Sequence, residues 1–85
     1  MSTSKEINQY NAEDKAEGYW EKYFDNGQLW LKGNYINGNA DGLWEIHFPN
    51  GRFYYKGNYN NGKQAGWWGE YYERKLITKT FYVNI

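Results

Sequence analysis

Cysteine is absent from this 85-residue chain, so neither a disulfide framework nor a thiolate metal site is available to it. Proline, histidine and methionine each occur once. No apolar run is long enough to span a bilayer, and the opening MSTSKEINQYNAEDK has no apolar core of the signal-peptide kind. A cytoplasmic protein without a membrane span is therefore expected. Net charge is also missing: ten Lys/Arg cancel ten Asp/Glu. The charges are unevenly placed. Residues 1–26 hold three Lys and six Asp/Glu, and the remainder holds seven Lys/Arg and four Asp/Glu, an acidic front of −3 and a basic rest of +3. This falls far short of the basic stripe that drives duplex binding, which argues against a nucleic-acid partner of that kind.

Aromatic rings are abundant instead. Phe, Trp and Tyr make up 22% of the chain, and aliphatic residues are few, so the core has to be built largely from rings. A chain this short forms one domain and buries only about 60–65% of the surface it exposes when unfolded. Ten glycines beside one proline suit many tight turns.

The rings and glycines recur with a fixed step. GYWEKYFDNGQLWLKGNYINGNAD, residues 18–41, is followed by GLWEIHFPNGRFYYKGNYNNGKQA, residues 42–65, and a third copy opens with GWWGEYY in residues 66–85. Gly18, Gly42 and Gly66 lie 24 residues apart, as do Trp20, Trp44 and Trp68. A repeat of this length dictates the fold. Residues 18–24, 29–35, 42–48 and 53–59 read as strands rich in Trp, Tyr and Phe and bounded by turn signals. Asn26-Gly27 and Asn50-Gly51 suit two-residue type I′ corners, and Asn37-Gly38 and residues 60–65 suit looser connections. The expected fold is all-β: one antiparallel meander sheet of about six strands, built from 24-residue hairpins, with residues 1–17 as an N-terminal cap. Residues 6–17 carry two readings. Thr3 and Glu6 fit the capping box of a short helix. INQY and KAEGYW instead resemble KGNY and NADGLW, which suggests a worn half-repeat with a capping strand near residues 7–10.

Two-residue corners fix the register. They put Phe24 opposite Leu29, Tyr23 opposite Trp30, Glu21 opposite Lys32 and Trp20 opposite Gly33. The second hairpin pairs Phe48 with Phe53, His47 with Tyr54, Glu45 with Lys56 and Trp44 with Gly57. Each Glu then meets a Lys, a pair contributing about 0.2–1 kcal/mol, and each Trp meets a glycine whose bare backbone leaves room for the indole. In the third copy, Glu73-Arg74-Lys75 replaces the Asn-Gly corner with one residue fewer. Trp68 then faces Thr80 and Gly69 faces Lys79, as in a terminal unit whose Lys75 and Lys79 discourage further strand addition.

Alternation sorts the side chains. An apolar face collects Trp20, Phe24, Leu29, Leu31, Trp44, Phe48, Phe53, Trp68 and Leu76. A second face collects Tyr19, Tyr23, Trp30, His47, Tyr54, Trp67, Tyr71 and Phe81, crossed by the Glu–Lys pairs. No confident helix is available to cover either face. A homodimer through the apolar face is one expected solution.

The repeats resemble the MORN superfamily, and more closely the bacterial MORN-variant repeat, with its pattern of roughly G-x-W-x-x-Y-x-x-N-G-x-x-x-x-x-G-x-Y-x-x-G. Gly18, Trp20, Tyr23, Asn26, Gly27, Gly33, Tyr35 and Gly38 match it. So do Gly42, Trp44, Asn50, Gly51, Gly57, Tyr59 and Gly62, with His47 at the Tyr position. The resemblance implies successive hairpins and non-enzymatic roles: scaffolding, phospholipid contact, or antitoxin-like binding of the bacterial or phage type.

His47 lacks the partners of a metal site or catalytic base and reads as a substitute for Tyr. Glu21 and Glu45 read as ion-pair partners of their facing lysines, without evidence of a shared cleft. Acidic clusters with calcium or zinc spacing and a phosphate loop are both absent. No catalytic residue, metal or cofactor is expected. The functional lead is the second face: Tyr23, Trp30, His47, Tyr54, Trp67 and Tyr71, with Lys32 and Lys56 beside them. Rings next to cations suit a protein hot spot, as in an antitoxin, immunity factor or inhibitor that occludes its target. The alternative is a nucleotide-like anionic aromatic ligand held between rings and the two lysines.

Overall fold

The structure, a computed structural model, describes residues 7–83. Seven antiparallel strands follow one another in space as in sequence: β1 (Gln9–Tyr10), β2 (Ala16–Tyr23), β3 (Leu29–Ile36), β4 (Asn39–His47), β5 (Phe53–Asn60), β6 (Lys63–Tyr72) and β7 (Lys75–Tyr82). They form one open meander sheet, and no helix occurs among the described residues. The Thr3–Glu6 capping box lies outside the described residues; residues 9–10 are strand.

The turn chemistry differs from the expected assignment. At Asn26-Gly27 and Asn50-Gly51 only the glycines have positive φ, so neither corner is type I′. Each closes when Gly27 or Gly51 donates its N–H to the carbonyl of Phe24 or Phe48 three residues back, the geometry of a type I turn with a left-handed glycine at its end. At the second corner Pro49 gives a reason: closing a two-residue Asn50-Gly51 hairpin would require residue 49 to donate its N–H across to Arg52, and proline has none. The Asn26 and Asn50 side chains complete the corners by accepting from the amides of Gln28 and Arg52. True type I′ corners occur at Asn37-Gly38 and Asn61-Gly62, the connections expected to be looser, and at Glu73-Arg74, where both central residues have positive φ.

These corners adjust the register. Phe24 closes on Gln28 across three residues, an odd number, and the surplus is absorbed by a bulge at Trp30. Tyr23 therefore opposes Leu29 rather than Trp30, and the expected Phe24–Leu29 pair does not form. Beyond the bulge Lys22–Leu31, Glu21–Lys32 and Trp20–Gly33 pair as expected. The second corner spans four residues, so parity is kept and Phe48–Phe53, His47–Tyr54, Glu45–Lys56 and Trp44–Gly57 all pair. In the last hairpin Trp68 opposes Thr80 and Gly69 opposes Lys79. A bulge at Ile77 then brings Leu76 opposite Tyr71, on the second face rather than the apolar one.

The core is a single row of rings. Among the described residues Trp20, Trp44 and Trp68 are the buried hydrophobic ones, at 7%, 3% and 4% exposure. Gly42 and Gly66, in left-handed conformation, open bulges in β4 and β6 that swing the following tryptophan backwards. Trp44 thus covers Gly33 and Trp68 covers Gly57, the glycines of the preceding hairpin, rather than Gly57 and Thr80, the residues opposite them within their own hairpins. Each indole N–H finds an acceptor there: Trp20 donates to Gln9 O (3.2 Å), Trp44 to Asn34 O (3.1 Å) and Trp68 to Asn58 O (2.8 Å). Tyrosines alternate with the indoles. Tyr10, Trp20, Tyr35, Trp44, Tyr59 and Trp68 meet edge to face with centroids 5.0 to 5.9 Å apart. Such contacts contribute about 0.5–1.5 kcal/mol each beyond area burial.

Candidate functional site

On the face opposite the indoles, strand pairing aligns side chains into rows that cross the sheet. The middle row is Glu21, Lys32, Glu45, Lys56, Gly69 and Lys79, each directly opposite the next. Toward the Asn26, Asn50 and Arg74 corners lies a row containing Tyr23, His47, Tyr54 and Tyr71. At the other end of the strands lie Tyr19, Asn34, Leu43, Asn58, Trp67 and Phe81.

Glu45 is the hub of the middle row. Its Oε2 lies 3.9 Å from Lys32 Nζ and 4.0 Å from Lys56 Nζ, and its Oε1 lies 3.1 Å from His47 Nε2. Lys32 therefore reaches across to the next hairpin's carboxylate, whereas the expected reading tied it to Glu21. Glu21 is engaged differently: it accepts from the hydroxyls of Tyr19 and Tyr23, both at 2.8 Å. These bonds hold its carboxyl below the ordinary range, Tyr19 contributing more than Tyr23 and Lys32 adding to both. Burial, then the bond to Glu21, pushes the Tyr19 phenol up to about 12. The Glu21 bond is the first cause that raises Tyr23. The Tyr-x-Glu-x-Tyr spacing of residues 19–23 puts all three on one face of a strand, so the signal for this cluster was present in the sequence although Tyr19 was not singled out.

The corner row is a stack. His47 lies on Tyr54 with centroids 4.6 Å apart and planes 15° apart, and Tyr54 lies on Tyr71 at 5.0 Å and 5°. Strand pairing positions all three, since His47, Tyr54 and Tyr71 are direct neighbours on β4, β5 and β6. Beside the stack, His47, Tyr54, Gly51, Arg52, Glu73 and Arg74 line an open hollow of about 530 Å³, in which Arg52 Nε is 3.7 Å from Glu73 Oε2. The two arginines were not foreseen as part of this region. A second depression of about 250 Å³ lies over Tyr19, Lys32, Leu43 and Glu45.

Of the eight residues expected at the site, Tyr23, Lys32, His47, Tyr54, Lys56 and Tyr71 fall together in the corner and middle rows. Trp67 shares the face but sits at its other end, against Phe81 with Lys79 Nζ 4.9 Å from its ring. Trp30 is not with them. The bulge turns it to the indole face, where it stacks on Phe24 at 5.6 Å beneath Lys22. Among the described residues no group of three or more His, Asp or Glu is placed to hold a metal.

No protein-family model matches the chain, and neither a curated protein nor a solved structure matches it.

Proposed function

We propose that the chain is a non-enzymatic, MORN-like binding protein that docks a protein target on its second face, in the manner of an antitoxin, immunity factor or inhibitor. One observation carries this reading: the His47–Tyr54–Tyr71 stack lies directly beside the Lys32–Glu45–Lys56 bridge, so flat rings and paired charges form one continuous surface. Stacked rings lose little side-chain freedom on binding, and the charges supply directional contacts around them, the composition of a protein hot spot. Tyr23 extends the surface at 55% exposure.

Affinity capture with the wild-type chain, a Tyr23→Ala/Tyr54→Ala/Lys56→Ala variant and a Trp30→Ala variant tests the reading. One stoichiometric protein should be retained by the wild type and by Trp30→Ala, whose change lies on the opposite face, and lost by the triple variant. Retention by all three would overturn the assignment of the face.

The alternative, a nucleotide-like ligand, draws on the hollow between the stack and Arg52 and Arg74. A rise in melting temperature with nucleoside phosphates that disappears at high salt and in Arg52→Ala/Arg74→Ala would favour it over protein docking.

A further inference from the structure

The two ends of the sheet are finished differently. At the N-terminal end the Asn8 side chain acts as an extra peptide group against β2. Its Nδ2 donates to Glu21 O (3.0 Å) and its Oδ1 accepts from Glu21 N (2.9 Å), while its own N–H bonds Tyr19 O (3.0 Å). With β1, this continues the covering of β2 from Ala16 to Glu21. At the other end β7 is eight residues long and exposed throughout, and no described strand pairs with its outer edge. Leu76, Ile77, Phe81 and Val83 are 49% to 70% exposed. A long, apolar, unpaired edge is a template for another strand.

The sequence of β7 restricts what that strand can be. Another hairpin of the same kind would place an indole over the residue that follows lysine, as Trp44 covers Gly33 and Trp68 covers Gly57. In β7 that residue is Thr80. A Cβ on Gly33 or Gly57 would fall inside the indole ring, so Thr80 leaves no seat for a further tryptophan. A second copy pairing β7 to β7 is opposed by charge, because residues 75–83 hold Lys75 and Lys79 and no acidic side chain. The joined strands would carry four lysines, two on each face, and no acidic side chain to pair them, so no favourable cross-strand charge pair could form.

We infer that the β7 edge takes an extended acidic segment of a partner protein, added as an eighth strand. Backbone hydrogen bonds would supply the pairing; Lys79, on the second face between Leu76 and Phe81, and Lys75, on the indole face, would select acidic side chains on both faces of the added strand. This inference is independent of the second-face reading.

Hydrogen exchange of the wild-type chain with a short Val–Glu peptide that carries glutamates on both strand faces tests it, with the matching Val–Lys peptide and an N-methylated Val–Glu peptide as controls. The Val–Glu peptide should slow exchange of the outward amides of residues 75–82 and bind about tenfold more tightly than Val–Lys. The N-methylated peptide should not bind. Lys75→Glu/Lys79→Glu, both exposed changes, should invert the preference. Absence of protection in β7, or equal binding of the two peptides, would overturn the inference. Protection of β7 in the protein alone, rising with its concentration, would overturn it in favour of a second copy.

Discussion

Gly33 and Gly57 are fixed by the ring above them rather than by their own backbone angles, since neither has a positive φ. Gly57→Ala adds one methyl where the Trp68 indole lies, and the indole cannot retreat without breaking its bond to Asn58 O. The change should cost about 3 kcal/mol, the upper end of the overpacking range. Urea denaturation followed by tryptophan fluorescence checks it; a loss under about 1 kcal/mol would mean that the indole has another resting place. The Tyr19–Glu21–Tyr23 cluster gives a pH signature. Tyr19 is raised from 10.0 to about 12, so the folded state holds this proton more tightly than the unfolded one. Its stabilisation is complete below about pH 10 and disappears as pH rises through about 12. Glu21 is lowered from 4.5, so its contribution is present above that value and is lost as pH falls through the depressed one. Comparison with Tyr19→Phe isolates the effect: the difference in denaturation midpoint should be constant at neutral pH and shrink between pH 10 and 12. The Glu21 carboxyl should also titrate higher in the variant, as followed by its carbon chemical shift.

At the scale of strands and turns, β1 is the shortest element and Asn8 does part of its work. Asn8→Asp keeps the acceptor for Glu21 N–H and removes the donor to Glu21 O. A carboxylate facing that carbonyl should open the β2 edge, so the Glu21 and Tyr23 amides should exchange faster while those of β4 and β5 keep their rates. Unchanged exchange at Glu21 would show that the side chain does not seal the edge. The strands themselves were legible from ring-rich runs between turn signals. The Glu–Lys and Trp–Gly pairs followed from corner parity in the second hairpin, and in the first they are kept because the bulge at Trp30 cancels the odd corner. Corner types were less legible. Asn-Gly occurs at two kinds of corner, and the dipeptide does not distinguish them; at the second corner Pro49 does, because it has no N–H to close a two-residue hairpin. The surplus residue at the first corner then turned Trp30 to the other face. The backward reach of each indole was hidden for another reason. It depends on the left-handed Gly42 and Gly66, whose constant spacing to Trp was visible but whose conformation was not.

The sheet is a single layer in which, among the described residues, the buried hydrophobic side chains are three tryptophans, with Phe48, Tyr72 and Trp30 about 40% exposed on the same side. A domain of this size has roughly 5–15 kcal/mol of stability, and further apolar burial would add to it. Pairing of two molecules through this face is proposed on that ground. Sedimentation velocity should then show a monomer–dimer equilibrium that Phe48→Lys shifts to monomer; a single monomeric species across micromolar concentrations would dismiss it. The candidate binding face was partly legible, because alternation alone brought Tyr23, His47, Tyr54 and Tyr71 together. The Glu45 hub and the arginine-lined hollow needed the actual stagger between adjacent hairpins.

The indoles that lie on the preceding hairpin give the chain a direction. Trp20, Trp44 and Trp68 each donate to a carbonyl laid down earlier in the sequence, and none of the three acceptors comes later. A nascent chain leaving the ribosome can therefore set each hairpin as it emerges, like tiles laid up a roof. Shortening from the C terminus should remove one course at a time, whereas loss of the N-terminal residues would strip the support from the first.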